Sequence, residues 1–546
     1  MESGIQINER HTVLFLFITS VFLLFWNLGG EDIINVNEAQ RILPAISMVK
    51  TGDWIVPRLD GEPYLTKPPL IYWILAISYL LFGKMTEWSA RFPLAITGIL
   101  TVLLTYEFGK RYYSRRTGFI AGIALLSSYY FIRTSQLAEL DGILVLATLF
   151  GIYSMFRAEF DGEKKTLWWV LSFFSWGIAF LLKWVVFLMF LIPALILILF
   201  LQKKQGRRFE WKSFLIGIGV FLIICIPWCI LVFDVVGAKE VFKVLSEQAS
   251  QRFIKPSKIN CGSPFFYFTH TTAAILPWTY LLLYLFAGSF WKIVFHNSKY
   301  LKEKFLSLFC AIVFIAFSLI KGKETEYLMP LHPFIFLLCG RVFDLQISGD
   351  IPSSKIINTL EIIFFSILGL LALLFPVTLF SSIGDWFKFS KLTLCGVALS
   401  PIVGIILLLG TFKLKRGARP ILLFIYASFL IVFLLSAYKF RQNQTDSLKE
   451  IAALARSKTS DKIPLILFKV KKPNDLFYFL DIPFLRTNNA EMVIHLIKQH
   501  KECFLIIQEK HLSDVKDEIA EIKMDVLKIA SEKKKFRLIW LRSSES

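Results

Sequence analysis

Residues 31–69 read EDIINVNEAQRILPAISMVKTGDWIVPRLDGEPYLTKPP and lie between two apolar segments. The run carries acids and bases, Gly52 and Gly61, Pro44, Pro57 and Pro63, the pair Pro68-Pro69, and the aromatic residues Trp54 and Tyr64. A polar loop of this length, with turn chemistry at Asp60-Gly61, serves a function more often than it merely connects. What flanks it decides the class of fold.

With 55% hydrophobic residues, 54 Phe and mean hydropathy +0.59 over 546 residues, the chain is too apolar for a soluble globule and reads as a polytopic membrane protein. Spans are expected near 12–30, 91–109, 117–133, 142–157, 166–182, 184–201, 213–233, 272–291, 305–320, 327–343, 355–380, 392–411 and 420–438, thirteen in all. The first is too long for a signal-peptide core and has no small-residue cleavage site before the acidic loop, so an anchor is expected.

Segment 68–83 is apolar but short, and it opens on Pro-Pro. Charge decides its placement. Read as an interfacial or re-entrant helix, it leaves three clusters inside, as the positive-inside bias requires. They are Lys110, Arg111, Arg115 and Arg116; Lys203, Lys204, Arg207 and Arg208; and Lys413, Lys415, Arg416 and Arg419. Read as a span, it would turn all three outward. We take the first reading, which puts the N-terminus inside and the tail after Lys439 outside. The formal charge of +20 then belongs largely to short inner loops and does not argue for nucleic acid.

Cys225, Cys229, Cys261, Cys310, Cys339, Cys395 and Cys503 lie mostly in apolar segments without paired metal-ligand spacing, so neither a disulfide framework nor a zinc site is expected. From about Gln442 the texture changes: PLILFKV, CFLIIQE and FRLIWLR read as strands, NAEMVIHLIKQH and HLSDVKDEIAEIKMDVLKIA as helices. A small α/β domain over 441–546 is expected.

The run from Asn37 to Trp73, above all G-D-W…P-x-L-x-G-x-P-Y-L-x-K-P-P-L-x-Y-W, resembles the first outer loop of the aminoarabinose-transferase and protein O-mannosyltransferase superfamily, membrane glycosyltransferases of the GT-C fold. The order of later segments agrees, and the resemblance covers most of 12–440. It implies an α-helical transmembrane domain over 1–440 with a catalytic outer loop 31–69 and an interfacial helix 68–83. It also implies a polyprenyl-phosphate sugar donor, and a lipid A-like glycolipid or other lipid or protein as acceptor. The setting implied is the cytoplasmic membrane, with site and C-terminal domain facing the periplasm.

Sugar transfer from a lipid phosphate needs cations or N–H groups at the leaving phosphate and, for a hydroxyl acceptor, a base. A monophosphate leaving group makes no cofactor obligatory; a divalent metal stays open, and Thr66 stands where some relatives have a Glu before the lysine. By resemblance Lys67, between a strand-like run and a rigid Pro pair, contacts the carrier phosphate; the alternative is a snorkelling lysine at a helix start. Lys183 in FLLKWVVF matches a second phosphate lysine, although Trp184 stands where the family has Gly. It reads equally as a charge marking the turn between two spans.

Where the family has Asp-Glu, this chain has Asn37-Glu38. An amide accepts no proton at neutral pH, so three readings stand. Glu38 is the base, an anionic acceptor needs none, or the chain binds lipid without catalysing. Asn37 with Gln40 also reads as a capping box. Arg41 follows one position after the family's Arg. Arg133 and Asp141 resemble the family's Arg-to-Asp turn, with Asp141 the spare carboxylate or simply a helix N-terminal charge. Glu247 and Arg252 match Glu-x-x-x-Arg-Phe, Arg252 as a phosphate contact or a lipid-headgroup contact. Tyr327 matches Tyr-x-x-Pro-x-x-Pro, as a substrate contact or an interfacial anchor. A lipid-carrier transporter or silent lipid-binding protein is the rival class; polarity concentrated at outer span ends, with no internal repeat, argues against it.

Overall fold

Without water, apolar runs of this length satisfy their own backbone polar groups only as helices, and helices are what they form. The computed structural model describes residues 9–30, 33, 36–59, 61–204, 206, 208–253, 263, 265–286, 288–352, 355–382, 391–414, 416–437, 446–458, 463–468, 485–487, 489–508, 511–512, 522–530 and 536–543. Helix α1 (Glu9–Phe25) precedes the loop; α2 (Val36–Thr51) lies in it; α3 (Leu70–Phe82) and α4 (Glu87–Tyr112) follow. Next come α5 (Arg115–Leu126), α6 (Tyr129–Ser135), α7 (Asp141–Phe156), α8 (Lys165–Lys183), α9 (Leu188–Lys204), α10 (Trp211–Val236) and α11 (Ala238–Phe253). The helical set continues with α12 (Phe266–Ala274), α13 (Gly288–His296), α14 (Leu301–Leu319), α15 (His332–Ile347), α16 (Lys355–Ser382), α17 (Lys391–Lys413) and α18 (Arg419–Ala437).

Among the described residues six helical stretches are long and apolar enough to cross a membrane, seven if the bent pair Trp278–Leu285 and Phe290–His296 counts as one. Hydropathy gave thirteen, and the difference has a physical source. The apolar stretches 398–413 and 419–432, where two spans were expected, are short for that test, and α1 has 17 residues; 70–82, expected not to span, is short as well. Residues 165–204 form one helical stretch, although the backbone breaks inside it at Trp184, where φ is +45°. At 13 residues, α3 is about 20 Å long, short of a hydrocarbon core about 30 Å thick.

Local chemistry sets the joints. Thr86 and Ser89 form a capping box that starts α4, and Ser78 Oγ donates to Ser89 O at 2.6 Å, tying α3 to that start. Gly109 of α4 faces Gly118 of α5 so closely that a Cβ on either would run into the backbone of the other's helix. At the far end of α4 the basic clusters are partly neutralised: Lys110 pairs with Glu9 at 2.7 Å and Arg111 with Asp161 at 2.8 Å. Asp344 there pairs with Arg116 and Arg341 and accepts from Ser114 Oγ at 2.6 Å.

By internal contacts the chain forms two units, one of residues 1–28 with 44–437, the other of 29–43 with 438–546. In the second unit β3 (Leu465–Phe468), β4 (Leu485–Thr487), β5 (Glu502–Gln508), β6 (Ile522–Ala530) and β7 (Phe536–Ser543) form a sheet of order β4-β3-β5-β7-β6. Its first three strands are parallel and the last two antiparallel. Alternation divides the core. Leu465 and Leu467 pack with Ile451, Ala452 and Ala455 of α19 (Asp446–Lys458), and Leu43 of α2 joins that cluster. Ile466 and Phe468 face Val493 and Leu496 of α20 (Ala490–His500) instead. Residues 522–530, read from sequence as part of a helix, are strand β6: pairing with β7 along the sheet overrides their helical propensity. The polar-apolar stretch NDLFYFLD at 474–481, and 513–521 of the helix expected over 511–530, lie outside the described residues.

Candidate functional site

The loop after α2 is built on Asp53. Its Oδ1 accepts from the backbone N–H of Ile55 and of Val56, both at 3.1 Å, and its Oδ2 pairs with Arg58 Nε at 3.1 Å. Burial pushes the Asp53 carboxyl up, but the Val56 N–H, Arg58 and the Ile55 N–H outweigh it and hold the group below the usual carboxylate range. Strands β1 (Arg58–Leu59) and β2 (Glu62–Pro63) then form a small hairpin with Gly61 at φ +81°. Two indoles fasten the loop: Trp73 Nε1 donates to Trp54 O at 2.7 Å, and Trp228 Nε1 of α10 donates to Ile55 O at 3.0 Å.

This anchoring brings distant segments together. Val56 and Leu65 from the loop share one buried cluster with Leu181 and Trp184 at the end of α8, Trp228 and Val232 of α10 and Val241 of α11; Leu70 and Trp73 pack against it. Lys67, half-buried, lies between Leu65 and Leu70, so its segment and that of Lys183 belong to the same packed end of the first unit.

Lys183 is buried at the last residue of α8, and its Nζ lies 2.6 Å from Asp141 Oδ1, with side-chain exposures of 5% and 10%. The same ammonium sits 5.0 Å from the ring centroid of Tyr327, a cation–π distance. Three residues proposed from separate stretches thus meet. Asp141 opens α7, where the helix dipole also favours its charge. An ammonium has three donors; Asp141 engages one. Tyr327 belongs to the 3-10 turn Thr325–Leu331, and its neighbour Glu326 shares a hydrogen bond with Tyr130, a pair sequence reading missed.

The break after Lys183 is the site's strained point. Trp184 has φ +45° and ψ −132°, a region that costs a residue with a Cβ on the order of 1–3 kcal/mol. The change from Gly to Trp noted in the sequence therefore falls on a backbone position that favours Gly.

The other candidates distribute as follows. Arg133 is half-buried in the last turn of α6, and Glu139 nearby is buried. Glu247 is exposed on α11; the side chain of Arg252, on the same helix, lies outside the described residues. Asn37, Glu38 and Arg41 belong to the second unit. Asn37 is exposed inside the first turn of α2, which opens at Val36, so it lies within the helix and not at the position before it where a cap was expected. Glu38 and Arg41 are buried, at 1% and 7% exposure. Among the described residues no group of three or more His, Cys, Asp or Glu is placed to hold a metal ion.

Residues 66–231 match the family model described as dolichyl-phosphate-mannose-protein mannosyltransferase. An uncharacterized protein of Aquifex aeolicus is 26% identical over 427 residues, covering 78% of this chain and 77% of its own length. The undecaprenyl phosphate-alpha-4-amino-4-deoxy-L-arabinose arabinosyl transferase 2 of Proteus mirabilis is 29% identical over 356 residues. That match covers 62% of this chain and 63% of the relative, less than two thirds of its length. In fold, the crystal structure of ArnT from Cupriavidus metallidurans bound to undecaprenyl phosphate aligns with TM-score 0.75 and 19% identity, covering 98% of both chains.

Proposed function

We propose that this chain, which resembles GT-C glycosyltransferases in sequence and fold, transfers a sugar from a polyprenyl-phosphate donor to a lipid A-like glycolipid or other acceptor. The reaction takes place on the outer side of the cytoplasmic membrane. One observation carries the reading: a buried ammonium, Lys183, is held by Asp141 at 2.6 Å and faced by Tyr327, in the end of the molecule where the Lys67 segment is packed. Buried charge of that kind is expensive unless it binds or pairs, and an ammonium with two donors still to place suits a phosphate.

In the proposed reaction the acceptor oxygen attacks the anomeric carbon, the bond from that carbon to the phosphate oxygen breaks, and the departing electron pair stays on the phosphate. Configuration inverts. Lys67, Lys183 and Arg252 stabilise the charge as it develops. Asp141 holds Lys183 in place; Tyr327 and Arg133 complete the substrate contacts, with Glu247 and Arg41 as further binding residues. For a hydroxyl acceptor Glu38 takes the proton; for an acceptor already anionic no base is needed, and Asn37 carries no catalytic duty.

Reconstitution with undecaprenyl-phosphate-linked aminoarabinose and a glycolipid acceptor tests this. Transfer by the wild type, with a fall of at least about 100-fold in Lys67→Ala, is the expected result. Carrier binding without transfer, restored by Asn37→Asp, would assign the chain to the silent class instead.

A further inference from the structure

Trp184 carries two costs at one residue. Its backbone is strained at φ +45°, and its indole N–H is buried without an acceptor. An orphaned buried donor costs about 1–3 kcal/mol, and native structures keep few of them. Trp176 Nε1 is orphaned too, but it sits in the regular middle of α8 against Gly151. At Trp184 the orphan donor coincides with backbone strain, one residue after Lys183, whose ammonium pairs with Asp141, and in the cluster that holds the loop on either side of Lys67.

The ring's body is accounted for. Trp228 lies 5.3 Å away and Phe180 5.8 Å, edge-on, within the cluster that also holds Val56 and Leu65 of the loop. Those contacts use the apolar surface and leave the N–H as the polar handle. That handle only donates, so what completes it is an acceptor, and an anionic oxygen is the acceptor that gains most.

We propose that Trp184 is a substrate-binding residue whose indole N–H donates to a phosphate oxygen of the polyprenyl-phosphate donor. The strained backbone holds the ring where Lys183 and the Lys67 segment serve the same anion. This rests on the lipid-phosphate reading above. It adds a neutral donor to a site otherwise described by its cations.

The test uses the full-length protein in detergent and compares binding of undecaprenyl phosphate with undecaprenol, which has the same tail and no phosphate. The wild type prefers the phosphate, and Trp184→Phe, which keeps an aromatic ring and removes the N–H, loses about ten- to hundredfold in affinity for it. Its melting temperature does not fall, and its undecaprenol binding stays unchanged. Trp184→His, which keeps a ring N–H, retains more affinity than Trp184→Gly; that pair decides the matter if Trp184→Phe does not fold. Unchanged phosphate binding in Trp184→Phe, or an equal loss for undecaprenol, overturns the proposal. A wild type with no preference for the phosphate overturns the lipid-phosphate reading itself, and this inference with it.

Discussion

A lysine buried at the end of a helix needs a reason to stay charged, and Asp141 supplies it at 2.6 Å. Removing one member of such a pair leaves the other uncompensated. Lys183→Met should therefore lower stability by about 3–5 kcal/mol, while Lys183→Met combined with Asp141→Leu should recover much of it. Denaturant unfolding of Lys183→Met, Asp141→Leu and the double variant in detergent checks this; additive losses would mean the two groups act independently. Asp53 gives a pH-dependent counterpart. Its folded value is lowered, so its contribution to loop order is fully present above the ordinary carboxylate range and fades as pH falls through the folded value. Protease nicking of the 52–64 loop should rise below about pH 4 in the wild type, whereas Asp53→Asn should be nicked at neutral pH as well. A loop equally resistant at pH 7 and pH 3 contradicts this. The sequence showed Lys183, Asp141 and Tyr327 as separate candidates but not their meeting, since spacing along the chain says nothing about which helix ends share a corner. Asp53 and Arg58 went unnoticed because a turn built on one carboxylate has no periodicity.

Among the elements, the α4–α5 joint depends on Gly109 and Gly118, which let two backbones touch. Gly118→Val should force the helices apart and destabilise the first unit by several kcal/mol, as overpacking at backbone contact does. Fluorescence-detected melting compares it with Gly219→Val, where a Cβ meets nothing within 4 Å; equal melting temperatures would refute the joint. Hydropathy found the apolar segments well because burial in lipid and burial in protein both select them; six or seven stretches among the described residues also pass on helix length. The helix expected over 511–530 differs at its second half. Its charges follow a helical rhythm, yet 522–530 is an edge strand whose pairing with β7 is a long-range fact. By contrast PLILFKV and CFLIIQE contain real strands, β3 and β5, their apolar runs reflecting burial on both faces.

Across the whole molecule, one end of the first unit gathers a buried ion pair, an aromatic ring and the packed loop from α7, α8, the Thr325–Leu331 turn and residues 52–73. The other end of α4 gathers basic residues tied to acids. The resemblance to GT-C enzymes was legible in 37–73 because the loop is ordered by Gly, Pro and aromatic residues that have few substitutes; the sugar and the acceptor are not written in such a scaffold. The account turns on cations that hold a lipid-linked phosphate while its sugar leaves. Its most direct test is transfer of aminoarabinose from undecaprenyl phosphate by purified, reconstituted protein, wild type against Lys67→Ala. We expect activity in the former and a loss of at least about 100-fold in the latter at equal melting temperature; full activity in Lys67→Ala would contradict the account.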